Sequence, residues 1–294
     1  LNADLRHRRR VGALLALPGA TLLLALLILP SIAVLALSFT DYQFGMPGAV
    51  FVGWRQYAAL GSDAGLRNSL ANTALYVAIV APVSIGGALW LAVLLQRQGR
   101  LRPLFQTVFF LPVTATLVAM ATAWEVVLHP SFGIANTALS WLGFERLRFL
   151  TDPSTALGTL AAIGVWKMLG YNILLFLAGL ATIDRQLYEA AALDGADRGW
   201  SRFTLVTLPT LAPVTLFVTV ITLIRSVSEF ETVAVLTQGG PSGATEMLLY
   251  TLYQQAFRYF DVGAAAALAV VFLLLVGLLS ILQVRFFDRG GAHG

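Results

Sequence analysis

The 294-residue chain is 58% hydrophobic and 12% charged, has no cysteine and carries a formal net charge of +4, with a mean hydropathy of +0.79. A soluble domain carries about 25% charged residues, so the composition excludes an ordinary soluble globule. The missing cysteines exclude a disulfide framework and thiol chemistry, and the positive charge, placed at the edges of apolar runs, does not point to nucleic acid.

The predicted class is an all-α polytopic membrane protein, a single transmembrane domain over residues 1–294. Arg8, Arg9 and Arg10 precede an apolar run over 11–39. A cleavable signal has an apolar core of only about 7–15 residues, so this run is predicted to be a retained first span. Further runs long enough for the roughly 20 residues a crossing needs lie at 70–95, 104–128, 156–181, 208–236 and 263–287. Six spans put both termini on one side. The segments on that side hold 12 of the arginines, against 5 in the segments near 40–69, 129–155 and 237–262. The positive-inside rule therefore predicts cytoplasmic termini and a cytoplasmic segment 182–207.

That segment is the most informative. Glu189-Ala190-Ala191, then Asp194-Gly195, Arg198 and finally Leu208-Pro209 predict a helix, a break at Gly195, where a positive φ is available without a Cβ, and a second helix ending at Pro209. Small alanines permit close approach of another helix, and Trp200 and Phe203 offer apolar anchors. An ordinary amphipathic connector would share these physical traits. The multi-point pattern nevertheless resembles the EAA coupling loop of permease subunits of ATP-binding-cassette (ABC) importers. One departure is that ten residues, 196–205, follow Gly195 before Val206-Thr207-Leu208-Pro209, one more than that family's usual spacing. The extra residue would rotate a helix by about 100° and is expected to be absorbed around Gly199. Phe51-Val52-Gly53-Trp54-Arg55-Gln56-Tyr57, Trp124…Pro130-Ser131-Phe132-Gly133…Asn136, and Leu236-Thr237-Gln238-Gly239-Gly240-Pro241 with Thr245, Tyr250 and Phe257 are similar to the carbohydrate branch of these permeases, nearest to the first permease of maltose-, trehalose- and glycerol-3-phosphate-type systems.

Two clusters of polar residues fall inside spans, where ionisable groups are costly and mark protein interior or a water-filled path. Thr215, Thr219, Thr222, Ser226 and Glu229 form one helical stripe with Arg225 beside it. The stripe reads either as a wall of a solute path or as hydroxyls bonding their own and neighbouring helices, with Arg225–Glu229 a local ion pair. Lys167, Tyr171 and Asn172 form the second cluster, open between a site for a hydroxylated ligand and a helix–helix contact. Trp124 and Glu125 read as interfacial anchors rather than ligand groups.

Catalytic chemistry is not expected. Lys167 is the only lysine and lies in a span, so no phosphate-binding Gly-rich loop exists. His7, His129 and His293 have no metal-ligand spacing. Gly240-Pro241-Ser242-Gly243 looks like the G-x-S-G of rhomboid-type intramembrane proteases, but Ser242 falls in a loop and the last span has no histidine base. An ion-driven secondary transporter would show matching broken spans in two halves, and none is visible.

The resemblance implies a non-enzymatic permease subunit in the bacterial inner membrane, importing a sugar or sugar-like solute by alternating access. It implies a second homologous permease, two ATPase subunits binding ATP and Mg, an external solute-binding protein, and no cofactor in this chain. It assigns ATPase coupling to Glu189, Ala190, Ala191, Asp194, Gly195, Arg198 and Pro209. Gly239, Gly240 and Pro241 fall in the external loop, and Thr222, Arg225, Ser226, Glu229, Lys167, Tyr171 and Asn172 are the candidates for the solute path.

Overall fold

Asp152 begins the most buried of the membrane-length helices: its carboxylate accepts hydrogen bonds from the Ser154 amide at 2.8 Å and the Ser154 hydroxyl at 2.6 Å, and Pro153 occupies the first helical position, where a missing N–H costs nothing. These bonds, the hydroxyl's foremost, hold the Asp152 carboxyl below its ordinary value. The structure, a computed structural model, describes residues 2–96, 116–196 and 199–291. The described residues form helices α1 (Asn2–Leu23), α2 (Leu29–Leu37), α3 (Arg55–Ser62), α4 (Ala64–Gln96), α5 (Leu117–Val127), α6 (Ile134–Trp141), α7 (Pro153–Ala181), α8 (Arg185–Leu193), α9 (Gly199–Arg202), α10 (Leu208–Thr210), α11 (Ala212–Val227), α12 (Leu248–Tyr253) and α13 (Val262–Gly291). Extended pairing among them is confined to two isolated bridges, Thr40–Phe51 and Gln43–Asp261.

The chain divides into two compact units, residues 1–63 with 252–274, and 64–251 with 275–294. In the first unit, α1 and α2 run on through a π-turn at Leu24–Ile28. The apolar stretch Leu14–Leu37 is long enough to cross a membrane. Its leucines are exposed on every face, from Leu14 through Leu35, as expected of a helix whose surroundings are lipid or a partner chain. The Phe51–Tyr57 motif closes the end of α2: Phe39 meets Trp54 edge-on at 5.2 Å, and the Tyr57 hydroxyl donates to Ser38 Oγ at 2.7 Å.

The second unit is built on the α4–α7 pair, against which α11 packs. One apolar cluster joins Tyr76, Val80, Leu160 and Met168 to Val233 and Met247; a second joins Ala88, Ala92, Ile173, Phe176 and Leu180 to Leu211 and Val218. Small residues let the backbones approach. A Cβ on Gly164 would collide with the Tyr76 hydroxyl and come within 2.9 Å of its Cζ, and one on Gly179 would lie 2.8 Å from Val214 Cγ2.

Among the described residues, four single helices are long and apolar enough to cross a membrane, and a bent pair taken as one span would be a fifth. Of the expected third span, 104–128, residues 104–115 lie outside the described residues and Leu117–Val127 is helical. The span expected at 208–236 is corrected. The helix bends by 70° between Gly199–Thr210 and Ala212–Val227, where Pro209 and Pro213 have no N–H to donate to the preceding turn, and it breaks again at Ser228–Phe230 before a π-turn at Val233–Thr237. Glu229 causes the restart to be stable: its Oε1 accepts from the Thr232 amide at 3.0 Å, as a helix-capping acid does. The loops expected over 129–155 and 237–262 contain α6 and α12.

Candidate functional site

The first site is the surface hairpin α8–α9. Asp184 caps α8 by accepting from Gln186 N at 2.9 Å. After Leu193 the chain reverses at Gly195, φ +84°, in left-handed geometry, and Ala196 N returns to Ala191 O at 2.8 Å, a Schellman-like closure. Arg198 lies outside the described residues. The return helix does not stop at Pro209 as expected but passes through it to Thr210, by way of a π-turn at Phe203–Thr207 closed by Leu208 N to Phe203 O. This wide turn, together with Gly199 at φ +68°, gives the interval two places where an additional residue fits without rotating Val206–Pro209. The hairpin is braced from inside: the Arg202 guanidinium sits 4.0 Å from the Tyr188 ring centroid, and the Tyr188 and Thr207 hydroxyls are 3.4 Å apart. Its outer surface is apolar and charged together. Leu193 is 90% and Trp200 77% exposed, and Glu189 pairs with Arg185 at 2.9 Å on an open surface.

The second site is the polar set on α7 and α11, which the structure divides in two. Thr222, Ser226, Glu229 and Asn172 are buried within the chain. Thr222 Oγ1 donates to Asn172 Oδ1 at 3.1 Å, and Asn172 Nδ2 reaches Ser84 Oγ at 3.4 Å, so α4, α7 and α11 share one hydrogen-bonded chain. Glu229 Oε2 meets the Tyr76 hydroxyl at 3.5 Å. Ser226 Oγ and Thr215 Oγ1 are buried without a hydrogen-bond partner among the described residues. Arg225, Tyr171 and Lys167 face outward instead. Arg225 lies over Tyr171 with Cζ 4.6 Å from the ring centroid, and Lys167 Nζ is 3.6 Å from Glu231 Oε2. Among the described residues no ion pair joins Arg225 to Glu229. Lys167 is the fifteenth residue of the 29 in α7, at its midpoint, and a charged group there belongs beside water or protein rather than lipid.

Sequence reasoning missed Glu231, because the break at 228–230 removes it from the helical register that was being extended. It missed Tyr76 and Ser84 because their partners are 153 and 88 residues away. Trp124 stands edge-on to Trp166 at 5.3 Å, a contact between helices.

The Gly239–Pro241 loop is fastened to α4. Asn68 and Asn72 donate to Gly243 O at 2.7 and 3.0 Å, Asn72 also to Glu246 O at 3.0 Å, and Thr73 Oγ1 accepts from Leu248 N at 3.0 Å. Gly239 turns at φ +82°, with Tyr250 Cε1 3.0 Å from where a Cβ would be.

The described residues thus define a helical membrane protein with a glycine-turned surface hairpin between the membrane-length α7 and the bent segment that runs on into α11. The family model for the inner membrane component of binding-protein-dependent transport systems matches residues 84–290, and the chain belongs to that family. It is 33% identical over 245 residues to the sn-glycerol-3-phosphate transport system permease protein UgpA of Agrobacterium fabrum, covering 83% of each chain. It is 32% identical to UgpA of Yersinia pseudotuberculosis over 278 residues, covering 90% of this chain and 94% of that protein. Among solved structures it is similar in fold to a bacterial alginate ABC transporter in complex with an alginate pentasaccharide-bound periplasmic protein, with a TM-score of 0.86, 23% identity, and coverage of 100% of this chain and 99% of that one.

Proposed function

We propose that this chain is the permease subunit that carries a sugar or sugar-like solute inward in an ATP-driven importer, docked through the α8–α9 hairpin to an ATPase subunit. The observation that carries the reading is the hairpin surface: Leu193 and Trp200 are almost fully exposed on an element braced internally by Arg202, Tyr188 and Thr207. A rigid element that leaves its largest apolar side chains uncovered is built to be covered by another protein. Glu189 supplies a carboxylate beside that apolar surface for a basic group of the partner. The orientation that follows from the arginine distribution puts this hairpin and both termini in the cytoplasm and the Gly239–Pro241 loop outside.

The remaining parts of the machine are a second, similar permease, two ATPase subunits that bind ATP and Mg, and an external solute-binding protein; this chain itself carries out no covalent chemistry. Arg225, exposed in the last turn of α11, and the half-buried Tyr171 and Lys167 of α7 face the second permease and the solute path, whereas Asn172, Thr222, Ser226 and Glu229 hold the helices that present them. Closure of the ATPase dimer on ATP moves the hairpin and, through α11, rocks this framework between its two accesses.

The test is reconstitution of the chain with its companion permease, ATPases and binding protein in liposomes, followed by uptake of labelled sugar. Uptake that requires ATP and the binding protein supports the reading. Uptake driven by a proton or sodium gradient without ATP replaces it with a secondary transporter.

A further inference from the structure

Beyond the solute path, the second unit contains a cavity of about 540 Å³ between the end of α5, the 148–151 turn and the Gly-Gly-Pro loop, lined by Glu125, His129, Thr151, Thr237 and the prolines Pro130 and Pro241, with leucines between them. Small-molecule sites fall in the range of about 300–1,000 Å³, apolar with a few convergent polar groups. The polar groups here are of mixed kind. His129 Nδ1 accepts from the Ser131 amide at 3.2 Å, which leaves Nε2–H as the donor of a neutral ring, and the ring is fixed by stacking on Phe132 at 3.7 Å. Thr151 adds a hydroxyl that can give or accept. Glu125 adds a carboxylate with no cation in ion-pair contact among the described residues. Among the described residues no lysine or arginine lines the cavity.

We infer that this cavity is an outer site for an uncharged polyhydroxylated solute, a mono- or disaccharide, distinct from the Lys167–Tyr171–Arg225 face. Hydroxyls of such a solute donate to Glu125 and accept from His129 and Thr151, and the apolar C–H faces of the ring lie on the leucines and prolines. An anionic sugar meets the Glu125 carboxylate with no cation among the described lining residues to offset it, so the site favours neutral solutes over uronates and phosphate esters. The inference rests on the importer reading for its orientation, with the cavity opening outside.

The chain has no cysteine, so Thr151→Cys makes a single reporter in the cavity wall, and Pro130→Cys a second should the first perturb folding. The importer, assembled in nanodiscs without nucleotide or binding protein, is alkylated with a maleimide in the presence of maltose, trehalose or sucrose, or of glucuronate or sn-glycerol 3-phosphate. A neutral sugar at about ten times its Kd slows alkylation about tenfold, the anions do not, and Glu125→Gln lets glucuronate protect as well. Ser140→Cys, exposed outside the cavity, reacts at one rate throughout. No protection by any of the three neutral sugars, or equal protection by the anions in the chain with Glu125 intact, overturns the site. Lost protection with ATP-driven uptake intact sinks only the cavity, and protection without ATP-driven uptake of any sugar sinks the importer reading and leaves the site standing.

Discussion

The guanidinium of Arg225 lies over the ring of Tyr171, Cζ 4.6 Å from its centroid, and not against Glu229, whose carboxylate is engaged by Thr232 N and the Tyr76 hydroxyl. A cation held on an aromatic face at an open site is stabilised by about 0.5–1 kcal/mol and keeps its hydrogen-bond donors for another molecule. We expect Arg225→Ala and Tyr171→Ala each to lower solute uptake while the complex still assembles. Tyr171→Phe, which keeps the ring face, should stay near normal. In a double-mutant cycle on uptake, Arg225 and Tyr171 should couple, whereas Arg225 and Glu229 should be additive within about 0.3–0.5 kcal/mol. The reverse pattern would restore the local ion pair.

The hydrogen bond from Thr222 to Asn172 predicts a structural phenotype. Thr222→Val keeps the shape and removes the donor to a buried amide oxygen. Interhelical bonds of this kind contribute about 0.6 kcal/mol on average and up to about 1.7 within membranes. Thermal unfolding of the purified complex should show a loss in that range, shared with Asn172→Ala rather than added to it, and uptake per assembled complex should be unchanged. Lost uptake at full stability would return Thr222 to the solute path.

The hairpin and the buried stripe differ in how far the sequence revealed them. Residues 185–202 were legible because their information is local: closely spaced alanines and a glycine where the φ must be positive. The alignment of Thr222, Ser226 and Glu229 was legible too, since periodicity puts them on one face. Which way that face points was not, because it depends on Asn172, Ser84 and Tyr76, contributed by other helices. Assuming one unbroken helix over 208–236 also produced the wrong partner for Arg225. The i,i+4 rule holds only while the helix continues, and the chain leaves helical geometry between Val227 and Glu231.

The approach of α4 to α7 depends on Gly164. An added Cβ would collide with the Tyr76 hydroxyl and press on Val80 Cγ2 at 3.2 Å, and Tyr76 and Val80 are themselves buried. Gly164→Ala should therefore destabilise the chain by about 1–3 kcal/mol, the range for overpacking a dense core. Gly164→Ala combined with Tyr76→Phe should recover part of the loss, because the phenol oxygen is the first obstacle. A double variant less stable than the sum of the two singles would show that the Tyr76–Glu229 contact, not the clash, dominates.

The orientation can be read with two cysteines. Ser242 and Ser201 are both exposed, so access to an impermeant thiol reagent reports the side of the membrane and not burial. Applied to intact cells, the reagent should label Ser242→Cys and leave Ser201→Cys unlabelled until the membrane is permeabilised. The opposite result would invert the topology and remove the hairpin from the reach of any cytoplasmic ATPase.

Gly195 separates backbone geometry from contact. Its φ is +84°, and a Cβ built on it meets nothing within 4 Å, so a side chain there acts through the dihedral alone. Left-handed geometry costs an L-residue about 1–2 kcal/mol, and Asn bears it better than most. A β-branched residue fares worst. The expected order of damage is therefore Gly195→Val, then Gly195→Ala, then Gly195→Asn. Because the turn is remote from the α4–α7 core, the thermal stability of the transmembrane helices should barely move. What should fall, in the same order, is the amount of ATPase retained on the purified permease and the solute moved per ATP hydrolysed. Equal ATPase retention for Val and Asn would mean that the turn at Gly195 does not set the docking surface, and the assignment of Glu189–Gly195 to coupling would have to be withdrawn.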